Sequence, residues 1–297
     1  MIEAQLLAAA LTWFSATPLP APRTEVGAAR LRGEIVVVGG LTADGAASAR
    51  ADAYTPATRR WRRLPDLPAA VHHPLVAADG RRVFVAGGYG GRLGAGERQR
   101  TVFVFDGTRW RSLPRLPEPR AAGGAAVVDG RLYIVGGVGA AGLARRAFAL
   151  DLRTNRWSVV PAPSPREHLA VTAAGGRIYA LGGRTAGYDT NLATFESWAP
   201  GAKRWRRLPD LPGARGGTGA AVAAGSLVSV GGEEPAGTIA AVYAWNLVHG
   251  GWRRLADLPT PRHGLGVVAV GTRVYAVAGG PSPGLTVSGA NEYLELR

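Results

Sequence analysis

The 297-residue chain is expected to be all-β, a six-bladed β-propeller with four antiparallel strands per blade. Two repeated landmarks and one shared interval predict this. Gly-Gly pairs begin at Gly39, Gly87, Gly136, Gly182, Gly231 and Gly279, spaced 46 to 49 residues apart. Tryptophans keep step with them at Trp61, Trp110, Trp157, Trp205 and Trp252. A sixth, Trp13, precedes Gly39 by 26 residues, the interval that also separates Trp61 from Gly87.

Each repeat reads in a constant order. A strand of small residues opens it, as in Gly123-Gly124-Ala125-Ala126 or Gly219-Ala220-Ala221. Strands that converge on an axis leave room only for Gly, Ala and Val. Asp79-Gly80 and Asp129-Gly130 then signal tight hairpins. The second strand is an apolar run that ends at Gly-Gly, for example Leu132-Tyr133-Ile134-Val135. The glycines suit a close backbone approach with positive φ. A variable loop leads to a third strand ending near Tyr54, Phe105, Leu150, Trp198 or Tyr243, and the landmark tryptophan lies in the fourth. Tryptophan supplies the large apolar area that packs one blade on the next. Leu-Pro-rich bends follow, such as Leu64-Pro65-Asp66-Leu67-Pro68, because proline lacks the N–H a ladder needs. After Gly279-Gly280 the chain ends without a tryptophan strand. A strand near residues 10–17 is therefore expected to complete the C-terminal blade (263–297), making residues 1–297 one propeller without open edges.

Composition removes several function classes. With no cysteine, disulfides, zinc–thiolate sites and cysteine nucleophiles are impossible. The net charge of +14 comes almost wholly from arginine, Lys203 being the only lysine. Such a surface attracts polyanions non-specifically, but no recognition motif accompanies it, so no specific nucleic-acid role is expected. No run of about 18 apolar residues suggests a membrane span. Leu6 to Phe14 is apolar, yet Glu3 and no basic residue precedes it, which is the wrong start for a signal peptide. The compartment, exported or cytoplasmic, stays open.

The Gly-Gly pair, the aromatic third strand and the tryptophan at fixed spacing resemble the kelch repeat, over essentially residues 13–297. The resemblance implies a propeller of the galactose-oxidase-like superfamily and suggests a bacterial six-bladed member. It also implies a site at one channel mouth, lined by residues that open the innermost strand and residues just after Gly-Gly. The first set reads Arg23, Val71, Arg120, Arg166, Arg215 and Arg262, with Thr24-Glu25, His72-His73, Ala121-Ala122, Glu167-His168, Gly216-Gly217 and His263-Gly264 behind it. The second reads Leu41, Tyr89, Val138, Arg184, Glu233 and Pro281. Most of the arginine ring is expected to cap strand ends and bond carbonyls of neighbouring blades. The irregular positions are the site candidates. Tyr89, Arg166, Arg184, Arg23, His73 and His263 would bind ligand, and Glu25, Glu233 and His168 would be the acid–base candidates. No metal and no cofactor is expected, since His72 and His73 in an extended strand would point to opposite faces.

Two functions follow. One is a binding or interaction propeller that recognises a small molecule or a protein at the mouth. The other is an enzyme acting on an acidic sugar, like the bacterial sialic-acid mutarotases that share the repeat number. Copper oxidases of the galactose-oxidase type are excluded, because their cofactor needs a cysteine. Catalysis is thus left open, with binding favoured.

Overall fold

The computed structural model describes residues 12–296. Residues 6–11 of the apolar N-terminal stretch, and the first part of the strand expected near 10–17, lie outside them. The chain forms six four-stranded antiparallel sheets in a ring. The first blade shows the plan. Gly27–Leu31 pairs with Glu34–Val38, which pairs with Ala51–Thr55, which pairs with Arg60–Arg63. The innermost strand of each blade touches that of the next, and Gly266–Val270 of the sixth returns to Gly27–Leu31 of the first. Trp13–Ser15 pairs with Asn291–Glu295, Trp13 lying opposite Leu294, so one sheet joins both ends of the chain. Among the described residues the additions are two short hairpins and one 3-10 turn at Tyr188–Thr190.

The apolar runs are continuous because both faces of every blade are buried. Val36 and Val38 pack toward the second blade, while Ile35 and Val37 pack toward the sixth. Period-two alternation therefore divides one strand between two cores. A separate apolar cluster fills the space between each adjacent pair of blades.

The tryptophans do more than pack. Every landmark indole N–H donates to a carbonyl of the preceding blade, four residues past that blade's own tryptophan. Trp110 bonds Pro65, Trp157 bonds Pro114, Trp205 bonds Pro161 and Trp252 bonds Pro209, at 2.8–3.1 Å. Trp61 bonds Thr17 and Trp13 bonds Ala256, carrying the same link across the chain ends. The Leu-Pro bend therefore ends a strand and also presents an acceptor.

The sixth Gly-Gly landmark is displaced by one residue. In the first five blades both glycines have positive φ, but in the sixth the pair is Ala278 (φ 60°) and Gly279 (φ 98°). Gly279 N–H bonds the Arg23 carbonyl, as Gly88 N–H bonds Arg120 and Gly183 N–H bonds Arg215. The position after the pair is consequently Gly280 rather than Pro281, and Gly280 pairs with His263 as Tyr89 pairs with His72.

Candidate functional site

The arginine ring is structural. Arg120, Arg166, Arg215 and Arg262 each bond the carbonyl of the first residue of their own positive-φ pair: Gly136, Gly182, Gly231 and Ala278. Three buried ion pairs form in the interior. Arg23 pairs with Asp52 at 2.9 Å, Arg166 with Glu196 at 2.5 Å and Arg262 with Glu292 at 2.6 Å. Arg120 and Arg215 lack such an acid and lie over the Phe148 and Tyr243 rings instead. Burial pushes both guanidinium groups down to about 10. Of the expected ligand-binding residues, Arg23 and Arg166 are therefore fully buried and engaged within their own blades.

Two positions further on, the six blades build a belt around the axis. Glu25, His73, Ala122, His168, Gly217 and Gly264 all adopt left-handed backbone, with φ between 51° and 66°. His73 N–H bonds the Glu25 carbonyl, Ala122 bonds His73, His168 bonds Ala122, Gly217 bonds His168 and Gly264 bonds Gly217. Val26 N–H bonds Gly264 and closes the circle. Left-handed backbone costs a non-glycine residue about 1–2 kcal/mol. Four blades carry the cost, at Glu25, His73, Ala122 and His168, and the side chains of these residues, with Gly217 and Gly264, line a cavity of ≈ 90 Å³. Such strain clusters at functional sites, which makes this belt the candidate site.

The belt overturns the expected divergence of the adjacent histidines. His73 is left-handed rather than extended, and its Nδ1 lies 2.6 Å from His72 Nδ1. His73 Nε2 lies 3.1 Å from both His168 Nε2 and Glu25 Oε2. From there the polar groups form a closed circuit. His168 Nδ1 lies 3.3 Å from Glu167 Oε1, which lies 3.4 Å from Arg184 Nε. Arg184 donates to Glu233 at 2.8 Å, and His263 Nδ1 lies 3.6 Å from Glu233 and 3.1 Å from Glu25 Oε1. Tyr89 covers one side, its ring stacked on His72 at 5.2 Å.

Burial opposes charge at Glu25, His72, His73 and His263; partners outweigh it at Glu25 and His263, and burial prevails at the other two. The Glu25 carboxyl is held well below the usual range by His73, His263 and His168, despite its burial. Burial takes His73 down to about 3 and His72 down to about 4, so both imidazoles are neutral near pH 7. His263 is also buried, yet its hydrogen bond to Glu25 and the charges of Glu25 and Glu233 raise its pKa.

Tyr89, Arg184, His73, His168, His263, Glu25 and Glu233 thus converge, whereas Arg23 and Arg166 do not join them. Glu167 and His72 are full members that the candidate set lacked. The sequence carried one signal for this geometry. Gly217 and Gly264 stand in register with Glu25, His73 and His168, which implies left-handed backbone for all of them.

Comparison with known proteins agrees with the fold. Residues 114–280 match the KLHDC2/KLHL20/DRC7 Kelch-repeats domain, and residues 22–68 match the Kelch motif. The chain is 29% identical to "Kelch-like protein terF" of Aspergillus terreus over 244 residues, 75% of this chain and 52% of that protein. It is 26% identical to "Kelch-like protein 35" of Mus musculus over 68% of this chain and 42% of that protein. With "Kelch-like protein 34" of Homo sapiens it shares 30% identity over 67% of this chain and 33% of that protein. The chain spans about half or less of the length of these curated relatives. They are fungal and mammalian, so they lend no support to the bacterial membership suggested by the sequence. With six concordant repeats, a closed ring of blades and a family match over more than half its length, the chain belongs to the kelch-repeat β-propeller family.

Proposed function

We propose that the chain is a protein-binding propeller whose contact face is the ring of loops at the mouth above the polar belt. Kelch-repeat propellers are typical of protein-interaction domains. The observation that carries the reading is where large apolar side chains stay exposed. Of the six large apolar side chains exposed among the described residues, Leu93, Tyr188 and Leu285 (46%, 37% and 38%) stand together on loops that follow a second strand at this one mouth, while Phe14, Val159 and Val248 are scattered on outer strands and a turn. These loops are tied to one another. Leu93 N–H bonds the Gly45 carbonyl, Ala47 N–H bonds Gly91, and Leu285 lies against Gly45. Arg92, Arg98, Arg145 and Arg146 are exposed on the loops of this mouth, as are Asp44, Glu97, Asp189 and Glu234. Apolar anchors within a rim of mixed charge suit a partner segment that carries a few large apolar residues and charges of both signs.

The belt residues serve this reading as a rigid floor. Their side chains are nearly all bonded to one another, which holds the loop bases in place. The test is cross-linking mass spectrometry on a captured partner, combined with the variant L93S/Y188A/L285S. Cross-links confined to loops 41–49, 89–99, 139–146, 185–191 and 281–288, with capture lost in the triple variant, support the assignment. Cross-links on the outer strands, or capture unchanged by the triple variant, overturn it. No helix among the described residues is long and apolar enough to cross a membrane.

A further inference from the structure

We propose that Glu25, His73 and His168 form a binding site for a divalent transition-metal ion of the zinc class, on the propeller axis. One ligand atom from each can be chosen so that all three lie within 4.8 Å of one another. Two edges of this triangle, His73 Nε2 to His168 Nε2 and His73 Nε2 to Glu25 Oε2, are 3.1 Å. Ligands at about 2.0–2.1 Å from a zinc ion sit roughly 3.0–3.4 Å apart, so these edges fit without rearrangement. The side chains of Glu25, His73 and His168 are only 9–11% exposed.

The outer contacts of the three residues point to the same use. A metal-binding imidazole normally gives its other N–H to a carboxylate or another acceptor, which fixes the tautomer. His168 Nδ1 lies 3.3 Å from Glu167 Oε1, so a small turn of the ring would let it donate there and leave the Nε2 lone pair toward the axis. His73 turns Nδ1 to His72, again leaving Nε2 inward. Glu25 offers Oε1 to His263 and keeps Oε2 for the axis. Two imidazole nitrogens and a carboxylate oxygen thus face one point, and a cation there would take the place of the proton that the 3.1 Å contacts can otherwise share. Two His and one carboxylate is a donor set that suits zinc and its first-row neighbours and leaves a position for an exogenous ligand. The cavity beside it is walled by Ala122, Gly217 and Gly264, which occupy the same belt position in the other blades and leave that space clear. The inference stands apart from the docking of a partner on the loops, since it uses none of the exposed rim residues.

The chain has five histidines and no cysteine, which keeps the test simple. The metal-stripped full chain would be titrated with Zn²⁺ by calorimetry and with Co²⁺ by visible absorption. One ion per chain is expected, with Co²⁺ d–d bands showing nitrogen and oxygen ligation. H73G and H168G suit the left-handed backbone, because glycine already holds this position in two blades, so both should fold. Each should weaken Zn²⁺ binding by at least about 100-fold, and E167Q, which acts through His168, by about 10–100-fold. H249A, which removes the exposed histidine far from the belt, should leave binding unchanged. Absence of stoichiometric Zn²⁺ binding overturns the site. So does binding that folded H73G and H168G retain within about threefold of the parent chain.

Discussion

At the scale of single residues, left-handed backbone and buried charge set the costs. Gly87 has φ 59°, and a Cβ there would meet the Arg120 carbonyl oxygen. Strain and overpacking add, so G87A should destabilise by about 3 kcal/mol or more. At Gly201, φ is 91° but the surrounding space is open, and G201A should cost only about 1–2 kcal/mol. Chemical denaturation of the pair separates the two contributions. The arginine ring allows a second comparison. R166M strands the buried Glu196 carboxylate, and losing one partner of a buried pair costs about 3–5 kcal/mol. R120M leaves no fully buried acid behind, only carbonyls at Gly136 and Arg146 and the partly exposed Glu118 carboxylate 3.7 Å away, and should cost about 1–3 kcal/mol. Equal losses in the two variants would refute the structural account of the ring. The arginines were legible as a register in the sequence, but their partners were not. Asp52, Glu196 and Glu292 lie 29 or 30 residues away on third strands, where only the folded blade brings them back.

At the scale of the element, the repeating unit is a strand quartet plus its contacts to the neighbouring quartets. The tryptophan strand illustrates this. Its indole covers the preceding blade's Leu-Pro bend and also donates to it, so the pair must be conserved in geometry even where the acceptor residue is Thr17 or Ala256 instead of proline. W205F would keep an aromatic ring but lose the bond to Pro161, with an expected cost of about 0.5–1.5 kcal/mol for the bond and more for the lost area. A thermal midpoint equal to that of the parent chain would show that the indole N–H is not a link between blades. Periodicity made the strands legible, because two buried faces enforce unbroken apolar runs. It could not place the last Gly-Gly pair, since Ala278 takes a conformation that composition assigns to glycine. Nor could it show that His72 and His73 meet, because that depends on a backbone reversal at a single belt position.

At the scale of the whole molecule, ring closure governs stability. The sheet that joins Trp13–Ser15 to Asn291–Glu295 covers an edge that would otherwise be open. Trp13 also lies in the core between the fifth and sixth blades, so W13A should cost about 3–5 kcal/mol. It should also promote self-association through the freed strand, which light scattering would detect. A variant that stays monomeric with its midpoint unchanged would mean that the ring closes by other contacts. What the chain determined by itself was number and order: six units, four strands in each, and a first strand that belongs to the last sheet. Local chemistry suffices for that, because turn residues, alternation and tryptophan spacing act within one repeat or between adjacent ones. Only the tertiary structure decided which polar residues meet. Glu25, His73, His168, Glu233 and His263 come from different blades, and it is the closing of the ring that brings their side chains onto one axis.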